Sequence, residues 1–193
     1  MSFDQPAPDF SGTYLVATPG LADAAFRGAV VLVCAHSADG AMGIVVNALA
    51  DDDLLAGRAA ADHSPTILHD LAGARRLHVG GPAEPSRPFL LHSIDWSDGA
   101  ATLRIDDAHA LTATPRALAA MAAGDGPDQA LVALGYAGWG PGQIEDEIRA
   151  NAWLAVPASP RVTFELPVGD RWRVAAASIG VSPAALSATV GHA

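Results

Sequence analysis

The sequence predicts an α/β (α+β) fold, a mixed sheet with helices packed on it, and three observations carry that reading. Short apolar runs of strand length alternate with segments of helical periodicity. Asp39-Gly40, between strand-like segments, marks an antiparallel hairpin and so excludes a purely parallel sheet. Of the 193 residues, 50% are hydrophobic and 17% charged. A chain of that length buries roughly 70% of its unfolded surface, which suits one core and a single domain over residues 1–193.

In chain order, residues 12–18 read as a first strand that stops at Pro19-Gly20, and residues 21–26 as a short helical turn capped near Asp23. Residues 29–36 form a buried strand. With Asp39-Gly40 as a two-residue turn and residues 42–47 returning, His36 opposes Gly43, Cys34 opposes Val45 and Leu32 opposes Asn47. Alternation then places Cys34, His36 and Asn47 on one face, with space beside the imidazole because Gly43 has no side chain. Residues 49–70 are a variable excursion rich in Asp, Ala and Gly, with Asp51-Asp52-Asp53 as a helix start, and carry no functional signal. Residues 75–79 form a short strand ending in the tight turn Gly80-Gly81-Pro82. Residues 88–93 and 100–105 alternate as further strands.

Thr114-Pro115 supplies an N-cap and first turn for a helix over residues 116–123, which Gly124 ends. Residues 129–136 form a buried strand feeding a glycine-rich loop, Gly135 to Gly142. Pro141 opens the next helix, which runs to Asn151. Residues 153–156 add a strand, and residues 169–179 a helix with Trp172, Ala175, Ala176 and Ile179 at helical spacing, stopped by Gly180.

Composition removes several function classes. All 11 basic residues are arginine, so the lysine of a P-loop and the Schiff-base lysine of a pyridoxal enzyme are both lacking. A formal net charge of −10 opposes a phosphate backbone, so no nucleic-acid partner is expected. The single cysteine, Cys34, forms no internal disulfide, and the N-terminal residues show no basic region before an apolar run, which together predict a cytoplasmic location. The longest apolar runs, such as residues 29–35, are about a third of a bilayer span, so no membrane segment is expected.

The candidate site centres on the glycine-rich loop and the helix after it. Gln143, Glu147 and Asn151 recur every four residues as a polar stripe beside the apolar stripe Ile144, Ile148 and Ala152, at the margin of buried space. The loop and helix N-terminus suit an anion, although they match neither phosphate-binding fingerprint; the structural alternative is that the glycines let Tyr136 and Trp139 pack close to the backbone. Glu147 at a core margin needs a partner, which Arg171 or Arg173 would supply, whereas Glu145 and Arg149 read as a solvated pair. Cys34 and His36 share a face but sit about 7 Å apart by the strand rise, too far for direct proton transfer. That leaves Cys34 as an inert buried thiol or one oxidised under stress. His36, His78 and His92 have no metal-ligand spacing, so neither metal nor cofactor is expected.

At this point the chain resembles the YqgE/AlgH family. The residues that carry the resemblance run from Gly12 to Gly20, then Asp23, Phe26, Cys34-Ala35-His36, Asp39 to Gly43 and Asn47. They continue with Gly80-Gly81-Pro82, Leu91-His92-Ser93, Ala133 to Tyr136, Trp139, Gly142-Gln143, Glu147, Asn151-Ala152-Trp153, Asp170-Arg171-Trp172 and Gly191-His192-Ala193. Ala48-Leu49 departs from the basic residue and proline common there in the family. The resemblance implies a compact bacterial cytoplasmic domain with an irregular, branching mixed sheet. It implies no established activity; members carry the label of transcriptional regulator without a recognised DNA-binding element.

The leading functional expectation is a non-enzymatic domain that binds a small ligand, an anion among the options, or a protein partner. Its pocket would draw on His36, Asn47, Gly80, Gly81, Pro82, Tyr136, Trp139, Gln143, Glu147 and Asn151. The alternatives are a hydrolase of phosphate or amide bonds with His36 or Glu147 as general base, and a transcriptional regulator, which the charge disfavours.

Overall fold

Residues 30–34 read as a continuous apolar run because β2 (Val30–Ser37) is buried on both faces. Val30, Leu32 and Cys34 enter one core layer with Ile44 and Val46, while Val31 and Val33 enter a second with Val45 and Trp139. β1 (Thr13–Ala17) divides in the same way, with Tyr14 and Val16 in the first layer and Leu15 and Ala17 in the second. The computed structural model describes residues 9–50 and 77–181. The expected helix start at Asp51-Asp52-Asp53, the first residues of the 75–79 strand and the terminal Gly191-His192-Ala193 lie outside them.

Seven further strands complete the sheet among the described residues: β3 (Gly40–Val45), β4 (His78–Val79), β5 (Ala83–His92), β6 (Thr102–Arg104), β7 (Ala110–Thr112), β8 (Ala130–Trp139) and β9 (Trp153–Pro157). Their order is β6-β7-β5-β8-β3-β2-β1-β9, with β4 added to β8 as the parallel pair in an otherwise antiparallel sheet. The branch lies at β8. Its first half pairs with β5 and β4, and its last residues pair with β3, Ala41 opposite Trp139 and Gly43 opposite Ala137. The fold is thus α+β with an irregular mixed sheet.

Among the described residues, three α-helices cover the sheet. α1 (Pro115–Ala123) starts where the Thr114 hydroxyl accepts the Ala117 N–H and stops at left-handed Gly124, as its sequence dictates. Ala117, Leu118 and Met121 pack on Leu90, Val132 and Leu134. α2 (Gln143–Arg149) buries Ile144 in the second layer. α3 (Val168–Ser178) is fixed to the sheet by Arg171 and Trp172: buried Arg171 donates to the carbonyls of Val46 and Leu166, and the Trp172 indole donates to Ala17 O at 2.9 Å. Among the described residues no helix is long and apolar enough to cross a membrane.

Three sequence expectations are corrected. The hairpin turn is Ala38-Asp39, not Asp39-Gly40: Ser37 pairs with Gly40, and the Ser37 hydroxyl accepts the Asp39 N–H at 3.2 Å. Gly40 is required elsewhere, since a Cβ there would lie 2.3 Å from the Trp139 carbonyl oxygen. A bulge at Cys34 then shifts the register, so His36 opposes Ala41 and Val33 opposes Gly43. The space expected at Gly43 is filled, because a Cβ there would meet Val31 Cγ1 at 2.7 Å.

The second correction concerns the glycine-rich stretch. Residues 135–139 are not loop but the last part of β8. The third concerns Gly80-Gly81, which forms no tight turn at a strand end but lets the chain cross β8 at close range. Added Cβ atoms would come within 2.2 Å of the Gly135 oxygen and of the Tyr136 carbonyl carbon, respectively. β7 was not foreseen, three residues being too short for a pattern, and β5 begins earlier than residue 88 because its first half bulges between Ala83 and Pro88.

Replacing Gly80 with Ala is expected to destabilise the fold by about 3 kcal/mol through that backbone clash. Gly169→Ala, in the first turn of α3 with open space around it, stabilises by about 0.5 kcal/mol. Urea unfolding midpoints moving down and up, respectively, check the pair.

Candidate functional site

Trp139 ends β8 with its ring in the second core layer, and Glu147 stands on the next helix, one turn beyond Gln143. Glu147 Oε2 accepts the indole N–H groups of Trp139 at 3.0 Å and of Trp153 at 2.7 Å. Its Oε1 accepts the Gln143 amide at 2.7 Å. One carboxylate therefore fastens α2 to both β8 and β9. The expected partners are engaged elsewhere, Arg171 on backbone carbonyls and Arg173 on Asp170 at 3.1 Å.

Beside this clamp lies a groove of 290 Å³, lined by Pro82, Tyr136, Trp139, Gln143 and Glu147, with Leu21, Asp23, Phe26, Ala83, Gly138 and Trp153. Phe26 sits edge-on to Trp153 at 5.7 Å between ring centroids and faces Trp139 at 6.4 Å. The turn that carries Phe26 (Ala24–Phe26) is held by Asp23, whose Oδ1 accepts the Ala25 N–H at 2.9 Å. A second, wider groove of 560 Å³ runs past His36, Ser37, Asp39, Met42, Glu84, Arg87 and Phe89. Tyr136, Gly138 and Trp139 line both grooves, so the end of β8 is their common wall.

His36 lines the wider groove, yet its side chain is only 4% exposed and both ring nitrogens are occupied. Nδ1 accepts the Phe10 N–H at 3.3 Å, which leaves the proton on Nε2, 3.2 Å from Glu145 Oε1. Glu145 therefore pairs with His36 rather than with Arg149, which pairs with Asp146 at 2.6 Å. The other Glu145 oxygen is buried without a hydrogen-bond partner among the described residues.

Of the sequence-predicted residues, the structure brings Tyr136, Trp139, Gln143, Glu147 and Pro82 to one groove and His36 to its neighbour. Four others stand apart. Asn47 holds the chain before β2, accepting from Val30 N at 2.7 Å and donating to Gly28 O at 2.8 Å. Asn151 leaves the polar stripe because α2 ends at Arg149 and Asn151 takes left-handed backbone, φ 57°. Gly80 and Gly81 pack against the β8 backbone.

The bulge also separates Cys34 from His36: the thiol enters the layer of Leu32 and Ile44, while the imidazole lies on Phe10 and α2. Burial pushes the Cys34 thiol up to about 12. The anion reading fares no better. The Gly140 N–H already donates to Gln143 Oε1 at 2.9 Å, and the first turn of α2 carries Glu145 and Asp146, whose charges repel an anion. His92 is engaged at both ring nitrogens, with Ser93 O at 2.8 Å and Thr112 Oγ1 at 2.9 Å.

Sequence reasoning missed two features. Trp153 is the second indole donor, six residues past Glu147, and the chain reversal after Arg149 that returns it is invisible in periodicity. Deeper in the first layer, Asp106 Oδ2 lies 2.8 Å from His109 Nδ1, and His109 Nε2 lies 2.9 Å from Thr163 Oγ1, which in turn meets the Tyr14 hydroxyl. This acid–imidazole–hydroxyl order matches an activated nucleophile. His109 and Thr163 are both 0% exposed, however, so no substrate reaches the hydroxyl and the chain acts as a buried structural network.

A branching α+β sheet with an aromatic and acidic groove at the end of its central strand defines the class of protein. The profile of the AlgH-like family matches residues 14–184, and the chain belongs to that family. It is 48% identical over 187 residues to a UPF0301 protein of Methylobacterium sp. (strain 4-46), covering 94% of this chain and 89% of that one. A UPF0301 protein of Rhodospirillum rubrum is 43% identical over 187 residues, covering 95% and 94%. The solution structure of the AlgH protein from Pseudomonas aeruginosa is similar with a TM-score of 0.73 and 35% identity over 100% of both chains. A crystal structure from Corynebacterium diphtheriae, 22% identical with a TM-score of 0.68 over 100% and 95%, shares the fold.

Glu147→Ala strips the acceptor from two buried indoles and is expected to cost about 2–4 kcal/mol, while Glu147→Gln, which keeps one acceptor oxygen, costs less than half of that; chemical denaturation followed by tryptophan fluorescence checks the order. Cys34 is expected to stay unmodified by a disulfide reagent at pH 8, where a thiol titrating at about 12 is on the order of one part in 10,000 thiolate, and to react at once in denaturant.

Proposed function

We propose that this AlgH-like protein is a non-enzymatic ligand-binding domain of the bacterial cytoplasm, whose site is the pair of grooves sharing Tyr136, Gly138 and Trp139. The observation that supports this most is a contrast: open, aromatic-walled space lies beside side chains whose reactive atoms are already engaged. Both nitrogens of His36 are hydrogen-bonded, Glu147 serves two indoles and an amide, and Cys34 is buried as a thiol. A general base needs a free acceptor within reach of a substrate proton; His36 presents none, and Glu147 has three of its roughly four acceptor sites taken by Trp139, Trp153 and Gln143. Concave apolar walls with few polar groups are instead the usual form of a binding site.

Any regulatory role is then indirect, through occupancy of the site or a protein partner that senses it. Direct DNA binding is opposed by the net charge of −10.

A thermal-shift screen of metabolites on the intact protein, followed by nitrogen–proton spectra of the indoles, tests the reading. At least one compound is expected to raise Tm and to move the Trp139 or Trp153 indole signal saturably. A screen in which none does so, or in which the active compounds move neither indole, contradicts it.

A further inference from the structure

We propose that the smaller groove binds a small organic cation, an alkylammonium or quaternary ammonium head on a short apolar body. This rests on the reading above that the groove is a ligand site, and adds the chemistry of the ligand.

The first argument is charge. Asp23 and Glu147 both line the groove, and among the described residues none of the lining is cationic. Glu147 has its hydrogen-bonding needs met by three neutral donors, and neutral donors leave the negative charge uncompensated. Among the described residues it makes no ion pair, although a half-buried carboxylate normally acquires one. Asp23 commits only Oδ1 to its turn. Two carboxylates thus face one hollow with at least one acceptor position still open.

The second argument is the wall. Phe26, Tyr136, Trp139 and Trp153 contribute aromatic rings, and two of the four are indoles, the rings that attract cations best. Trp139 and Trp153 expose only 7% and 2% of their surface and turn their N–H edges to Glu147, so the half-buried Phe26 and Tyr136 rings give the wall most of its accessible aromatic surface. A volume of 290 Å³ holds a molecule of modest size. The wider groove lacks this selectivity, because Arg87 stands in it, paired to Glu84 at 3.0 Å and seated 5.1 Å above the Phe89 ring.

The test titrates the full chain, at constant ionic strength, with tetramethylammonium, n-butylammonium, the neutral isostere neopentyl alcohol and the anion butyrate, while following the Trp139 and Trp153 indole signals. Both cations are expected to shift these signals saturably, with affinity about tenfold above the neutral isostere, and butyrate not to bind. Asp23→Asn keeps the turn cap, since Asn caps as well as Asp, and is expected to weaken cation binding by about threefold to tenfold with an unchanged unfolding midpoint. Phe26→Leu, in a half-buried ring outside the Glu147 clamp, is expected to weaken the cations and leave the neutral isostere unaffected. Neopentyl alcohol or butyrate binding as tightly as the cations overturns the cation assignment and leaves the ligand-site reading standing. Silence of both indoles toward all four probes overturns the cation assignment as well; the ligand-site reading then falls only if the metabolite screen is also silent.

Discussion

The carboxylate of Glu147, accepting from two indoles at once, is the interaction on which the organisation of this end of the molecule depends. β8 and β9 lie far apart in the sheet, separated by β3, β2 and β1, and the short α2 is the connection between them. Seven residues of helix have little stability of their own, so packing and side-chain bonds must hold them in place. Ile144 supplies the packing, and Glu147 supplies direction by drawing Trp139 and Trp153 to the same oxygen. The two rings then stand 6.1 Å apart in an edge-to-face arrangement that forms one wall of the smaller groove.

The other wall depends on close backbone approach. β8 can change partners along its length because Gly80 and Gly81 run against Gly135 and Tyr136 at distances that forbid a Cβ on Gly80, Gly81 or Gly135. The same crossing brings Pro82 and Ala83 to the groove and turns Tyr136 into the ring shared by both hollows. The glycines are therefore architectural, and the smaller groove is lined by aromatic rings and two carboxylates.

What the sequence made legible follows from the kinds of signal it contains. Apolar runs marked β1, β2 and β9, the first two buried on both faces, and the Thr114 and Gly124 caps bounded α1, because those signals are local. The hairpin register was not legible: the bulge at Cys34 has no local sequence signal, and the demand on Gly40 comes from contact with the end of β8, more than 90 residues away in the chain. The same cause disguised the end of β8 as a loop, since glycines that permit strand crossing look like glycines that permit turns. In the groove, Tyr136, Trp139, Gln143 and Glu147 were visible as a stripe beside aromatic residues. Asn47 and Asn151 were misplaced because backbone hydrogen bonding and a left-handed helix end, neither encoded in periodicity, determine what they do.

The most direct measurement is the nitrogen–proton spectrum of the indole groups in the wild-type protein and in Glu147→Gln, with Trp139→Phe and Trp153→Phe supplying the assignments. If one carboxylate holds both rings, the two indole signals lie downfield in the wild type and move together when that single charge is removed. A spectrum in which Glu147→Gln moves one signal or neither would mean that the rings are held independently, and the groove they wall would lose its basis.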